Sequence, residues 1–230
     1  MHNMNSAGNS QVSDGTEVPG FNEPHSAAIR IWHWVFFLTL TASLITVLFG
    51  STLFRTRNTI GLVEEPLQQK GVSVTKDQAR AVAHEFSDQL WNLHTLIGYV
   101  LCGLLLARIL IEILQPREEK LGDKLRKAAG FTPVTESDRS EKRHYLRVKR
   151  TYLIFYLSIL TMAMTGLGLA FEDNPLLKAW RHNITAVHQF VQYFIYGFIL
   201  LHLAGVIRAD LYRHKGLVSR MVHGKKQVKV

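Results

Sequence analysis

Four histidines lie inside long apolar stretches of this 230-residue chain: His33, His94, His188 and His202. An imidazole can ligate a metal, relay a proton or hydrogen-bond a neighbouring helix. Inside a hydrocarbon layer, an ionisable side chain is by default a functional residue. Spacing narrows the chemistry. His188 and His202 are 14 residues apart. On a helix, 14 steps of ~100° leave them within ~40° of one another and ~21 Å apart along the axis. One helix thus offers two imidazoles on one stripe, at two depths. A zinc or copper site needs its ligands gathered around one ion, which two separated levels do not provide. A proton relay usually recruits intramembrane Asp or Glu, and the stretches holding His33, His188 and His202 contain neither. A haem iron in an electron-transfer protein takes two axial protein ligands, one per face. Two pairs of histidines therefore suit two haems.

The elements that must hold these residues are apolar runs of membrane-spanning length. A helix crosses a bilayer with ~20 mostly apolar residues. Ile31–Phe54 and Ile184–Ile207 have 24 residues each, and Tyr152–Phe171 has 20, all without Asp, Glu, Lys or Arg. Leu90–Leu114 is interrupted only by Arg108 and Glu112. The pattern predicts an all-α membrane protein: a four-transmembrane-helix bundle holding two haems, with spans at about 31–54, 90–114, 152–171 and 184–207. The diheme domain is expected over 25–215. A polar leader, 1–24, precedes it and a basic tail, 216–230, follows. The leader lacks the early basic patch and cleavage site of a secretory signal, so the first span is expected to remain in the mature protein and the leader to be disordered.

The formal net charge is +9, and its distribution explains it. The connector 115–150 and the tail from Arg208 carry 11 and 7 Lys and Arg, whereas the connectors 55–89 and 172–183 carry 5 and 2. Positive residues favour the cytoplasmic side. Both termini and the middle connector are therefore placed in the cytoplasm. The basic excess reads as topology and contact with anionic membrane lipid, and no nucleic-acid role is expected. In this topology His33 and His202 share the cytoplasmic leaflet, and His94 and His188 share the outer one. The single cysteine, Cys102, allows no intramolecular disulfide.

Three segments resemble a known family. They are Arg30-Ile-Trp-His-Trp34, Leu93-His94-Thr-Leu-Ile-Gly98, and the end of the chain: His188, the 14-residue step to His202, Arg208, Asp210 and Val218-Ser-Arg-Met-Val-His-Gly224. They are similar to the b-type cytochrome subunit of nickel–iron hydrogenases, within the bacterial cytochrome b561 and formate dehydrogenase gamma-subunit group. The resemblance covers about two-thirds of the chain. It implies a diheme b-type cytochrome of the bacterial cytoplasmic (inner) membrane, passing electrons between a periplasmic redox subunit and the quinone pool. It implies His33 and His202 for the cytoplasmic-side haem and His94 and His188 for the periplasmic-side one, with a quinone site near the former.

Other residues have plain readings beside functional ones. Arg30 and Arg108 are candidate partners of a haem propionate, although Arg30 also reads as a cytoplasmic anchor and Arg108 as the ion-pair partner of Glu112. Arg208, Asp210 and Glu112 are candidates for the quinone site, against a helix-end ion pair for Arg208 and Asp210. Trp32, Trp34, Trp91 and Trp180 fall near span ends and read as an aromatic belt. Gly98, Gly166, Gly168 and Gly197 read as sites of close haem or helix approach. In the outer connector, Thr75 is a candidate N-cap, and Ala79, Val82, Ala83 and Phe86 recur at helical spacing. They predict a surface helix running into the second span. The chain is expected to be an electron-transfer subunit rather than an enzyme alone. The alternatives are a stand-alone quinol oxidoreductase of the cytochrome b561 type and a non-redox membrane adaptor or transporter.

Overall fold

The computed structural model describes residues 26–117, 120–212 and 216–224. The expectations for the leader 1–24 and for 225–230 lie outside the described residues. The order is α1 (Ala27–Ser51), α2 (Thr56–Gln69), α3 (Lys76–Leu114), α4 (Leu121–Gly130), α5 (Glu136–Ala170), α6 (Pro175–Lys178), α7 (Arg181–Tyr212) and α8 (Leu217–His223). Among the described residues there is no strand. Four helices, α1, α3, α5 and α7, are long and apolar enough to cross a membrane. Each contains most of one predicted span.

The helices outrun the apolar stretches because polar caps start them earlier. The 39 residues of α3 extend ~58 Å at ~1.5 Å per residue, against a hydrocarbon layer of ~30 Å. Its start is a reciprocal capping box. Thr75 Oγ1 accepts from Gln78 N at 3.2 Å, and Gln78 Oε1 accepts from Thr75 N at 2.9 Å, satisfying two amides that the helix leaves unpaired. The predicted surface helix therefore continues without a break into the second span. Its apolar stripe divides. Ala79 and Ala83 are fully buried, while Val82 and Phe86 are exposed.

The helix α2, with Pro66 inside it, packs on α3. The sequence reading placed no helix at 56–69. Proline discourages a helical assignment, but Pro66 falls in the last turn and removes only one amide there.

Among the described residues, 26–114, 153–212 and 216–224 form one compact unit. Within it α1 is the most enclosed span. Trp32, Phe36, Leu40, Ser43, Thr46 and Gly50 form its buried stripe, at the steps of three and four that line one helix face. Trp32, Phe36 and Leu40 join Leu105, Ile159 and Ile195 in the core. The other faces of the spans present exposed leucine, isoleucine, valine and phenylalanine. Apolar surface of that extent marks contact with lipid.

Two tryptophans differ from the aromatic-belt expectation. Trp32 is buried, and its Nε1 donates to Leu104 O at 2.7 Å, tying α1 to α3. Trp34 Nε1 donates to Met221 O at 3.2 Å, tying α1 to α8. Residues 115–152 form a second compact unit. There Ala128 and Tyr145 are buried between α4 and the first part of α5, and Lys142 Nζ donates to the Ala129 and Phe131 carbonyls.

Candidate haem sites

The four histidines fall at two ends of the bundle. At the terminal end, where α1 begins and α7 finishes, the rings of His33 and His202 have their centres 6.3 Å apart. A metal–imidazole bond is ~2.0 Å and a ring centre lies ~1.1 Å behind its bonding nitrogen, so two imidazoles on opposite sides of one ion sit with centres ~6.2 Å apart. The observed spacing fits one iron between the two rings. His202 stacks on Phe198, one turn earlier in α7, at 5.7 Å and 8°, and Phe198 stacks on Phe155 of α5 at 4.1 Å. His33 stands edge-on to Trp34. Its Nδ1 is enclosed and has no hydrogen-bond partner among the described residues.

At the loop end, where α1 finishes and α7 begins, lie His94 of α3 and His188 of α7. Hydroxyls hold both rings. Thr46 Oγ1 is 2.9 Å from His94 Nδ1, with Ser43 Oγ further off at 3.5 Å. Thr165 Oγ1 is 2.9 Å from His188 Nδ1. The glycines serve this end. A Cβ on Gly166 would touch His188 Cε1 at 3.4 Å, and one on Gly168 would touch Ile184 at 3.4 Å, so α5 and α7 run close there. A Cβ on Gly50 would come within 3.1 Å of Trp91, whose ring lies edge-on to His94. A Cβ on Gly98, one turn inward from His94, would meet nothing within 4 Å. The same holds at Gly197, so the close approaches expected at these two glycines are not made by neighbouring helices.

Arg108 lies beside the terminal-end cluster. Its Nη2 donates to Glu112 Oε2 at 2.9 Å and its Nε to Tyr156 Oη at 3.3 Å, and its guanidinium lies 6.0 Å from the Trp32 ring centre. Nη1 is enclosed without a partner among the described residues. Asp210 Oδ1 accepts from Leu217 N at 2.6 Å and Val218 N at 3.3 Å, so its carboxylate caps α8. Arg30 lies against Gly224 at the far end of α8, where a side chain would collide with the guanidinium. Arg208 is exposed. Among the described residues no three His, Cys, Asp or Glu side chains converge as they would around a protein-ligated metal ion. Pairs of histidines are what the fold provides.

A family model described as prokaryotic cytochrome b561 matches residues 24–224. The chain belongs to the prokaryotic cytochrome b561 family. No curated protein and no solved structure matches it. The cytochrome is thus a membrane electron-transfer protein of the b type, and membership of the family implies haem b. The matched region takes in all four histidines, Arg108 and the α8 segment. The residues that sequence reasoning passed over are Thr46 and Thr165. Ser43 and Thr46 were detectable as polar residues on the otherwise apolar buried stripe of α1.

Proposed function

We propose that this cytochrome carries electrons across the membrane through two haems b, one at each end of the bundle. His33 and His202 hold one at the terminal end, and His94 and His188 hold the other at the loop end. The observation that carries this reading is the 6.3 Å between the His33 and His202 ring centres, a separation at which the two imidazoles could hold one iron between them. Bound haem b supplies a one-electron ferric–ferrous couple. The chain's own residues hold the imidazoles, surround them with apolar and aromatic side chains and keep water out.

The basic connector and tail support a terminal end on the cytoplasmic side and a loop end on the periplasmic side. At the loop end the cytochrome meets a periplasmic redox subunit, and at the terminal end it meets a quinone. Arg108 has an enclosed Nη1 for a propionate or a quinone oxygen, and Glu112 beside it is the nearest carboxylate for a quinone-linked proton. Arg30 serves the same end. Arg208 borders the quinone site, and Asp210 acts through the α8 segment it caps.

The test is haem content of single variants. The intact cytochrome should bind two haems per chain and show a reduced b-type α band. His33→Ala should leave one haem, and His188→Ala should leave the other. A colourless chain from haem-replete cells would end the reading, and loss of both haems from either variant would refute two separate sites. Co-purification of a large periplasmic redox protein tests the partner. Quinol oxidation by the isolated chain with a small acceptor would favour a stand-alone oxidoreductase.

A further inference from the structure

Thr46 and Thr165 are threonines on different helices in the same chemical situation. Each hydroxyl faces a backbone carbonyl of its own helix and an imidazole of another. Thr46 Oγ1 is 2.6 Å from Ser43 O and donates to it. Thr165 Oγ1 donates to Thr161 O at 2.7 Å. A hydroxyl has one proton, and here it is spent on the carbonyl. The nitrogen 2.9 Å away must then be the donor: His94 Nδ1–H to Thr46 and His188 Nδ1–H to Thr165. This fixes both rings in the tautomer whose Nε2 carries the lone pair. Thr46 is itself buried, so water does not compete for its oxygen. His33 Nδ1 has no such acceptor among the described residues.

We propose that Thr46 and Thr165 are positioning residues for the loop-end haem, locking His94 and His188 with Nε2 toward iron and making them stronger electron donors than they would be without the hydroxyls. The proposal rests on the two-haem reading above. A ligating histidine whose other N–H is hydrogen-bonded is oriented and more basic. A more basic ligand favours the ferric iron and lowers the reduction potential of its haem. The hydroxyls therefore tune the loop-end haem downward.

The experiment is a potentiometric titration with low-temperature EPR on the intact cytochrome and on Thr46→Val and Thr165→Val. Val removes the threonine acceptor at similar volume; Ser43 stays near His94 at the longer distance of 3.5 Å, so Thr165→Val should give the larger shift. Each variant should raise one of the two midpoint potentials and move the g-values of that haem alone, with affinity for it falling by ~10-fold or more. Thr165→Ser should restore both signals. Thr161→Val is the control, because its hydroxyl back-bonds to Leu157 O on the same helix without reaching a histidine, and both potentials should hold. Two haems with unchanged potentials and g-values in both Val variants would overturn the proposal while leaving the two-haem reading intact. So would a shift confined to the haem lost in His33→Ala. Fewer than two haems in the unmutated chain would overturn the reading beneath it and the proposal together. If a Val variant does not accumulate, Thr46→Ala or Thr165→Ala removes the same acceptor and should raise the same potential.

Discussion

The two ends of the bundle hold their histidines by different means. At the loop end, hydroxyls on α1 and α5 lie 2.9 Å from Nδ1 of His94 and of His188. At the terminal end the rings are wedged by aromatics, Trp34 beside His33 and Phe198 against His202. A hydrogen bond dictates both ring angle and tautomer, whereas stacking dictates the plane alone. The terminal end also has a half-buried cation, Arg108, and the loop end has no counterpart among the described spanning residues near His94 and His188. Under the proposed two-haem reading, one end is arranged for fixed ligand chemistry and the other for an anionic or exchangeable group beside the ligands.

Substitutions placed at each end test whether the ends are independent. Arg108→Leu should have the largest effect on stability, about 2 kcal/mol, because it removes charged hydrogen bonds to Glu112 and Tyr156. Unfolding in detergent would measure it, and quinone-linked turnover should fall while the loop-end EPR signal stays fixed. A displaced loop-end signal would show that the ends are coupled. Gly50→Ala should act at the other end. The new methyl group presses on Trp91, which must yield by a few tenths of an ångström, at a cost of ~1 kcal/mol. The loop-end spectrum should broaden and the terminal-end spectrum should not. Thr75→Ala is the smallest. It removes one half of the capping box, worth ~1 kcal/mol locally. Hydrogen exchange should rise in the first turns of α3 and neither haem should change.

Much of this was legible in the sequence. Four charge-poor runs announced the spanning helices, and the 14-residue step placed two histidines on one stripe of α7. The runs did not reveal where the helices end. Apolar composition marks only the lipid-covered part of a helix, while caps such as Thr75 with Gln78, or Thr135 with Asp138, set its true start. The helix α2 was hidden by Pro66. Trp32 and Trp34 were misread as belt anchors because a span-end tryptophan looks the same whether its indole N–H meets headgroups or a neighbouring carbonyl. Thr46 and Thr165 were hidden for a similar reason. Membrane helices tolerate threonine by back-bonding to their own carbonyls, and only the packed structure distinguishes a hydroxyl that also meets an imidazole. Asp210 reads from the sequence as either a quinone neighbour or half of a helix-end ion pair with Arg208, and its hydrogen bonds to the α8 amides are a cap that neither reading names.

That both His188 and His202 belong to the single unbroken α7 makes the interval between them intolerant of insertions and deletions. One added residue would turn everything after it by ~100° and advance it by ~1.5 Å. His202 would swing away from His33 while His188 kept its place beside Thr165. Point substitutions along the lipid-facing side of the interval change only what the helix shows the membrane. A change of length there alters the register of the whole site, and in this stretch of the sequence it is the count of residues, more than their identity, that the fold has to protect.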